Sequence, residues 1–193
     1  MRGNVILLNG ASSSGKSTLA QALQQQLPTP FWHYSIDHLV LANVLPQARI
    51  NSGAFPWTDM RQQFFEGFHN SIPAFAAAGN HLIVEHIVET EIWMHRLLRL
   101  LDGFDVFFVG LHCPLEELER RERARGNRRT GEARADFEVT HTFGVYDIEC
   151  SSTEPVDDIA ARLVKAWQAR GTPSAFARMA ANRPGAASTS RLE

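Results

Sequence analysis

Lysine is almost missing from this chain. Of its 193 residues only Lys16 and Lys165 are lysines, and the other seventeen basic residues are arginines. Neither lysine stands in an Asn-Lys-x-Asp context, which excludes the base-reading motif of GTPases. A charge excess is missing too. Nineteen bases against twenty-one acids leave a net charge of -2, so nothing in the balance argues for a nucleic-acid or acidic-membrane partner. Cysteine occurs twice, at Cys113 and Cys150, without CxxC spacing. That excludes a disulfide framework and a cysteine metal or redox motif, and both read as small buried apolar residues. No window approaches the roughly 18 apolar residues of a membrane span. No small-residue cleavage site follows a long apolar region, so a reducing, cytoplasmic setting is expected. The length fits one domain and is too short for the large motor and pump ATPases.

What is present is alternation. Apolar runs of strand length occur at Val5–Asn9, Phe31–Ile36, His81–Glu85 and Val106–Leu111, with a shorter, more polar one at Tyr146–Cys150. Continuous runs suit a parallel sheet covered on both faces. Helical patterns lie between them: Lys16–Leu27, Thr58–Ala78, Glu89–Leu101, Pro114 to about Ala124, and Pro155 to Arg170. Pro73 is expected to kink or divide the second of these. The order predicts an α/β fold of three layers. Residues 1–170 form the expected domain. From Gly171 the composition turns to Ala, Ser, Pro, Gly and Arg, which predicts a mostly disordered tail to Glu193, with Leu192-Glu193 resembling a cloning scar.

The sharpest signal is Gly10-Ala11-Ser12-Ser13-Ser14-Gly15-Lys16-Ser17, followed by Thr18. It fits GxxxxGK[ST] and has the required strand before it and helix after it. Glycines there let consecutive N–H groups converge on phosphate oxygens, and the helix adds the positive end of its dipole. Lys16 is expected to reach the β- and γ-phosphates, and the Ser17 hydroxyl to ligate Mg²⁺. The motif names a nucleoside triphosphate as the ligand class, with a small kinase as the best-fitting enzyme.

Carboxylates follow two strands. Asp37 follows the second, where a ligand crevice is expected at strand C-termini. There it could take a proton from an acceptor hydroxyl or hold a Mg²⁺ water, or simply cap a helix from His38. Glu85 ends the third strand and could orient Mg²⁺ through water or bind substrate; the alternative is a solvated strand end. His86 beside it is a weaker substrate candidate. Trp57 is an acceptor-contact candidate within an aromatic segment whose other members read as core. Seven arginines lie between Arg120 and Arg134. The break at Gly126-Asn127 places Arg125 and Arg128 in a lid of about residues 125–131, suited to spread phosphoryl charge. Arg129 and the upstream arginines read as surface.

Taken together, these segments resemble the chloramphenicol phosphotransferase family of small P-loop kinases. The resemblance spans roughly Val5 to Arg170. It rests on ILLNGASSSGKST, Ile36-Asp37-His38-Leu39, Val109-Gly110-Leu111-His112-Cys113, Arg123-Ala124-Arg125-Gly126-Asn127-Arg128 and Val145-Tyr146-Asp147. It implies a five-stranded parallel sheet of the adenylate-kinase type, ATP with Mg²⁺, and a small hydroxylated acceptor. It also implies Asp37 as catalytic base, Lys16 as phosphate clamp, Arg125 and Arg128 as lid arginines, and the turn Ser151–Glu154 near adenine. The chain departs from the family's paired aspartates after the third strand, with Glu85-His86 in their place. A metabolite kinase of shikimate, gluconate or nucleotide type remains an alternative, as does a non-catalytic nucleotide-binding regulator.

Overall fold

The computed structural model describes residues 1–125 and 131–183, Arg125 by its backbone alone. The chain runs β1 (Val5–Asn9), α1 (Lys16–Gln26), β2 (Phe31–Ser35), α2 (Ile36–Leu41), α3 (Gln47–Asn51), α4 (Trp57–Ala77) and β3 (His81–His86). It continues through α5 (Glu91–Leu100), β4 (Val106–His112), α6 (Leu115–Arg125), α7 (Glu132–Val139), β5 (Ile148–Ser151), α8 (Val156–Gln168) and α9 (Ala175–Asn182). The five strands make one sheet in the order β2-β3-β1-β4-β5, and every neighbouring pair is parallel. This is the three-layer α/β fold that the alternation predicts.

The central strands bury both faces, which is why they read as unbroken apolar runs. Val5, Leu7, Val84 and Phe108 face α4, α5 and α9, meeting Phe68, Ile72, Leu97 and Phe176. Ile6, Leu8, Ile83 and Val109 face α1 and α8, meeting Leu19, Leu23, Ile159 and Leu163. Cys113 and Cys150 are both buried free thiols, as expected. Register aligns the strand ends: Ser35 pairs with Glu85, Leu8 with Glu85, and Asn9 with both His86 and Gly110. The carboxyl edge of the sheet therefore presents Ser35, Glu85 and the start of the glycine loop side by side.

Two expectations need correction. Pro73 does not divide α4, which runs through it from Trp57 to Ala77. Phe68, His69, Ile72 and Ala76 are buried on both sides of the proline. Docking of both halves outweighs the roughly 3 kcal/mol cost of an interior proline. The segment after Gly171 is not all tail either. Residues Ala175–Asn182 form α9, with Ser174 accepting from Ala177 N at 3.2 Å as its N-cap. Asp147 accepts from Ala175 N at 2.6 Å and from Phe108 N at 2.8 Å, tying α9 to β4. Phe176 is 1% exposed and meets Phe108 edge-on at 5.8 Å. Burying that ring contributes about 1.5–3 kcal/mol. An alanine-rich segment carrying so few large apolar residues resembles a linker until its docking face is seen. Residues 184–193, including Leu192-Glu193, lie outside the described residues.

Candidate active site

Backbone geometry builds the glycine loop. Gly15 adopts φ 98° and Ser13 φ 64°, both left-handed. A Cβ on Gly10 would stand 2.8 Å from the Leu111 carbonyl oxygen, so only glycine fits there. Lys16 is buried and its Nζ donates to the Gly10 and Ala11 carbonyls at 2.7 and 2.8 Å. The hydroxyls of Ser13 and Ser14 are buried without a hydrogen-bond partner among the described residues. Buried donors left without acceptors are costly, and phosphate oxygens would satisfy them.

Glu85 stands directly opposite the loop. Its carboxylate accepts from the Ser17 hydroxyl at 3.0 Å and lies in close contact with His33 Nε2. Burial pushes this carboxyl up, but His33, the charge of Lys16 and Ser17 outweigh it and hold Glu85 below the usual carboxylate range. A hydroxyl and a buried carboxylate at this spacing have the oxygen chemistry that Mg²⁺ takes, and Ser17 and Glu85 are the residues that would hold it. His33 is absent from the sequence reading, because a histidine mid-strand carries no motif.

Asp37 sits in the first turn of α2. The cap of that helix is Ser35, whose hydroxyl accepts from Asp37 N at 3.2 Å. Asp37 is thus not the cap, and it lines a cavity of about 390 Å³ together with Ser12, Lys16, Ser17 and Glu85. Trp57 and His86 line the same cavity. His86 is nevertheless 3% exposed. Its ring is stacked with Trp93 at 5.5 Å and its Nε2 lies 2.7 Å from His69 Nε2. Burial holds His86 well below the usual imidazole range and brings His69 down to about 4. His86 therefore lines the cavity from within an aromatic packing, and its burial favours the neutral ring.

The same cavity contains residues that sequence reasoning passed over: Arg61, Phe65, Glu89, Glu132 and Asp136. Arg61 Nη2 donates to both Glu89 oxygens at 2.8 and 2.6 Å, and its guanidinium lies over the Phe65 and Trp93 rings. Burial pushes the Glu89 carboxyl up, with the charge of Asp136 acting in the same direction and Arg61 pulling against them. These residues come from α4, α7 and the segment after β3, so no local spacing joins them. Among them Phe65 alone had a signal, as a member of the aromatic run of α4 that reads as core.

On the other side of the loop lies a second cavity of about 380 Å³, lined by Ser13, Ser14, Gly15, Thr18, Leu111, Arg121, Ser152 and Ile159. Here the arginine assignment changes. Arg121, expected at the surface, is half-buried, and donates to the Ser14 carbonyl at 3.1 Å and the Ser152 carbonyl at 3.0 Å. Glu117 fixes its Nε at 2.6 Å. The helical spacing of Arg121 and Glu117 is that of an exposed pair, and only the fold turns it inward. Of the expected lid arginines, Arg125 is the last residue of α6 and Arg128 lies outside the described residues. Buried Glu122 accepts from Gly131 N and Ala133 N, both at 2.9 Å, joining α6 to α7 across that segment.

Comparisons with known proteins show the family and the fold. The chain is 31% identical over 197 residues to a presumed O-phosphotransferase of Mycobacterium tuberculosis strain H37Rv, covering 92% of this chain and 88% of that protein. The APS kinase of M. tuberculosis, solved with AMPPNP and APS, superposes with a TM-score of 0.63 at 20% identity, over 86% of this chain and 98% of that one. A gluconokinase from Sinorhizobium meliloti 1021 superposes at 0.59 with 19% identity, over 94% and 95%. Both share the fold. The profile of chloramphenicol phosphotransferase-like proteins matches residues 3–168, and the chain belongs to that family of phosphotransferases.

Proposed function

We propose that this kinase transfers the γ-phosphoryl of ATP to a hydroxyl of a small, uncharged, chloramphenicol-like acceptor, with Asp37 as the base. The observation that carries this reading is the shared cavity, in which Asp37 meets Lys16 and Ser17 on one side and Trp57 and Phe65 on the other. Asp37 would accept the hydroxyl proton as the oxygen attacks phosphorus, and Lys16 would leave its loop carbonyls for the phosphates. Ser17 and Glu85 would hold Mg²⁺, which supplies charge neutralisation across the phosphates. Adenine would occupy the second cavity between Arg121 and Ser152, and Arg125 and Arg128 would approach the transferring group.

Charge supports an acceptor without an anionic group. Among the described residues lining the cavity the lysine and arginine are Lys16 and Arg61, and Arg61 is held by Glu89. Asp37, Glu85, Glu89, Glu132 and Asp136 share that lining. A carboxylate or sulfate on the acceptor would face this acidic wall. Aromatic rings and a guanidinium held over Phe65 suit an apolar or aromatic body instead. The alternative of a sugar-acid or nucleotide kinase rests on the shared fold, and a regulator that merely binds ATP has no use for Asp37 in the cavity.

The test is acceptor-dependent ADP release, measured against paired panels of neutral hydroxylated antibiotics and anionic metabolites. Turnover with a neutral aromatic alcohol, and a phosphorylated product by mass, is the expected result. Turnover confined to gluconate, shikimate or a nucleotide would replace this reading with the metabolite-kinase one.

A further inference from the structure

The glycine loop is shared between two cavities, and the sharing is uneven. Ser14, Thr18 and Leu19 line only the Arg121–Ser152 side, while Ser12, Lys16 and Ser17 line the Asp37 side. A nucleotide entering from the Arg121 side places its terminal phosphate toward Ser12. The backbone N–H of Ser12 already has a partner there: Asp136 Oδ2, at 2.9 Å. Asp136 belongs to α7, which is anchored beside the loop by a second bond, from Asn9 Nδ2 to the Thr140 carbonyl at 2.7 Å. Asp136 and Glu89 both line the Asp37-side cavity, and the charge of Asp136 helps push the Glu89 carboxyl up.

A carboxylate on a loop amide occupies the kind of position that a phosphate oxygen takes in such a nest. We infer that Asp136 is a stand-in for the terminal phosphate and sets the enzyme's discrimination between nucleoside triphosphate and diphosphate. A diphosphate ends short of Ser12 and leaves the Asp136 contact in place. A triphosphate brings a second anion to the same amide, and part of its binding free energy goes into displacing the carboxylate. After transfer the γ-phosphoryl leaves with the acceptor and Asp136 can return to Ser12. The inference rests on the nucleotide reading above.

The experiment is calorimetric titration of the full chain with Mg²⁺-AMPPNP and with Mg²⁺-ADP, for wild type, Asp136→Asn and Asp136→Ala. Asparagine keeps an oxygen for Ser12 N–H without the charge; alanine removes both. Both variants are expected to bind AMPPNP about tenfold more tightly, within the range for unit charges a few ångströms apart near a protein surface. ADP affinity should stay within about twofold. Weaker AMPPNP binding, equal shifts for both nucleotides, or an effect confined to alanine would make Asp136 a structural tether and overturn the inference. Thermal melts report whether a variant has lost its fold, in which case the asparagine variant alone decides. If wild type binds neither nucleotide, the nucleotide reading itself fails.

Discussion

The two cavities on either side of the glycine loop are built by different means. The Arg121–Ser152 side rests on a contiguous motif, on backbone N–H groups and on two positive φ angles. The Asp37 side is assembled from α2, α4, α7 and the residues following β3, and almost all of its chemistry is in side chains. A site built largely on backbone depends on its glycines and on the few side chains, such as Arg121, that hold its walls together. A site made from side chains on separate elements can change its acceptor without touching the loop.

The largest effect that would sharpen the contrast comes from Asp37→Asn. It is expected to lower kcat by about 10²–10⁴ while ATP affinity changes only a few-fold, because a general base acts in the transition state. Steady-state kinetics with a separate ATP titration checks this, and turnover within about tenfold of wild type would remove Asp37 as the base.

Acid should act on the buried histidines, among them His69 behind the Asp37-side cavity and His141, both brought down to about 4 by burial. Folded His69 resists protonation down to about 4, whereas an unfolded imidazole takes a proton near its model value of 6.5. Between those values the unfolded chain binds more protons, so stability falls as the pH drops from 6.5 toward 4. The loss is on the order of 3 kcal/mol if His69 titrates alone. Melting temperature followed across that window should show a steep decline, and His69→Gln should flatten it; an unchanged slope in the variant would place the acid sensitivity elsewhere.

On the nucleotide side, Arg121→Ala should raise the KM for ATP by about tenfold with kcat little changed, since it removes a guanidinium that bridges Ser14 and Ser152. A fall in kcat at saturating ATP would move Arg121 into the transfer step. The smallest effect is expected from Glu89→Gln, which frees the Arg61 guanidinium from its carboxylate. Anionic alcohols should then gain a few-fold in kcat/KM over neutral ones; no change in that ratio would break the charge argument for the acceptor.

Some of this was legible in the residues. Val5–Asn9 and the glycine loop follow from local pattern, since a buried parallel strand must be continuously apolar and a phosphate nest needs its glycines in fixed places. Asp37 and Glu85 were legible as candidates because strand ends in such sheets face the ligand crevice. Position brings His86 to the cavity wall, but Trp93 and His69, remote in sequence, decide how deeply it is buried. The inward turn of Arg121 was not legible, because an arginine four residues from a glutamate on a charged helix has the pattern of a solvated pair whichever way the helix faces.

The sequence by itself determined a phosphate-binding α/β kinase sheet with acids at its carboxyl edge, because those features depend on periodicity and on contiguous motifs. Only the tertiary structure decided that α9 is part of the core, that Arg121 turns inward, and that Arg61, Glu89 and Asp136 meet around one cavity. Each of those depends on contacts between elements far apart in the chain. Long-range packing sets burial and charge pairing, and near-neighbour spacing carries no record of it.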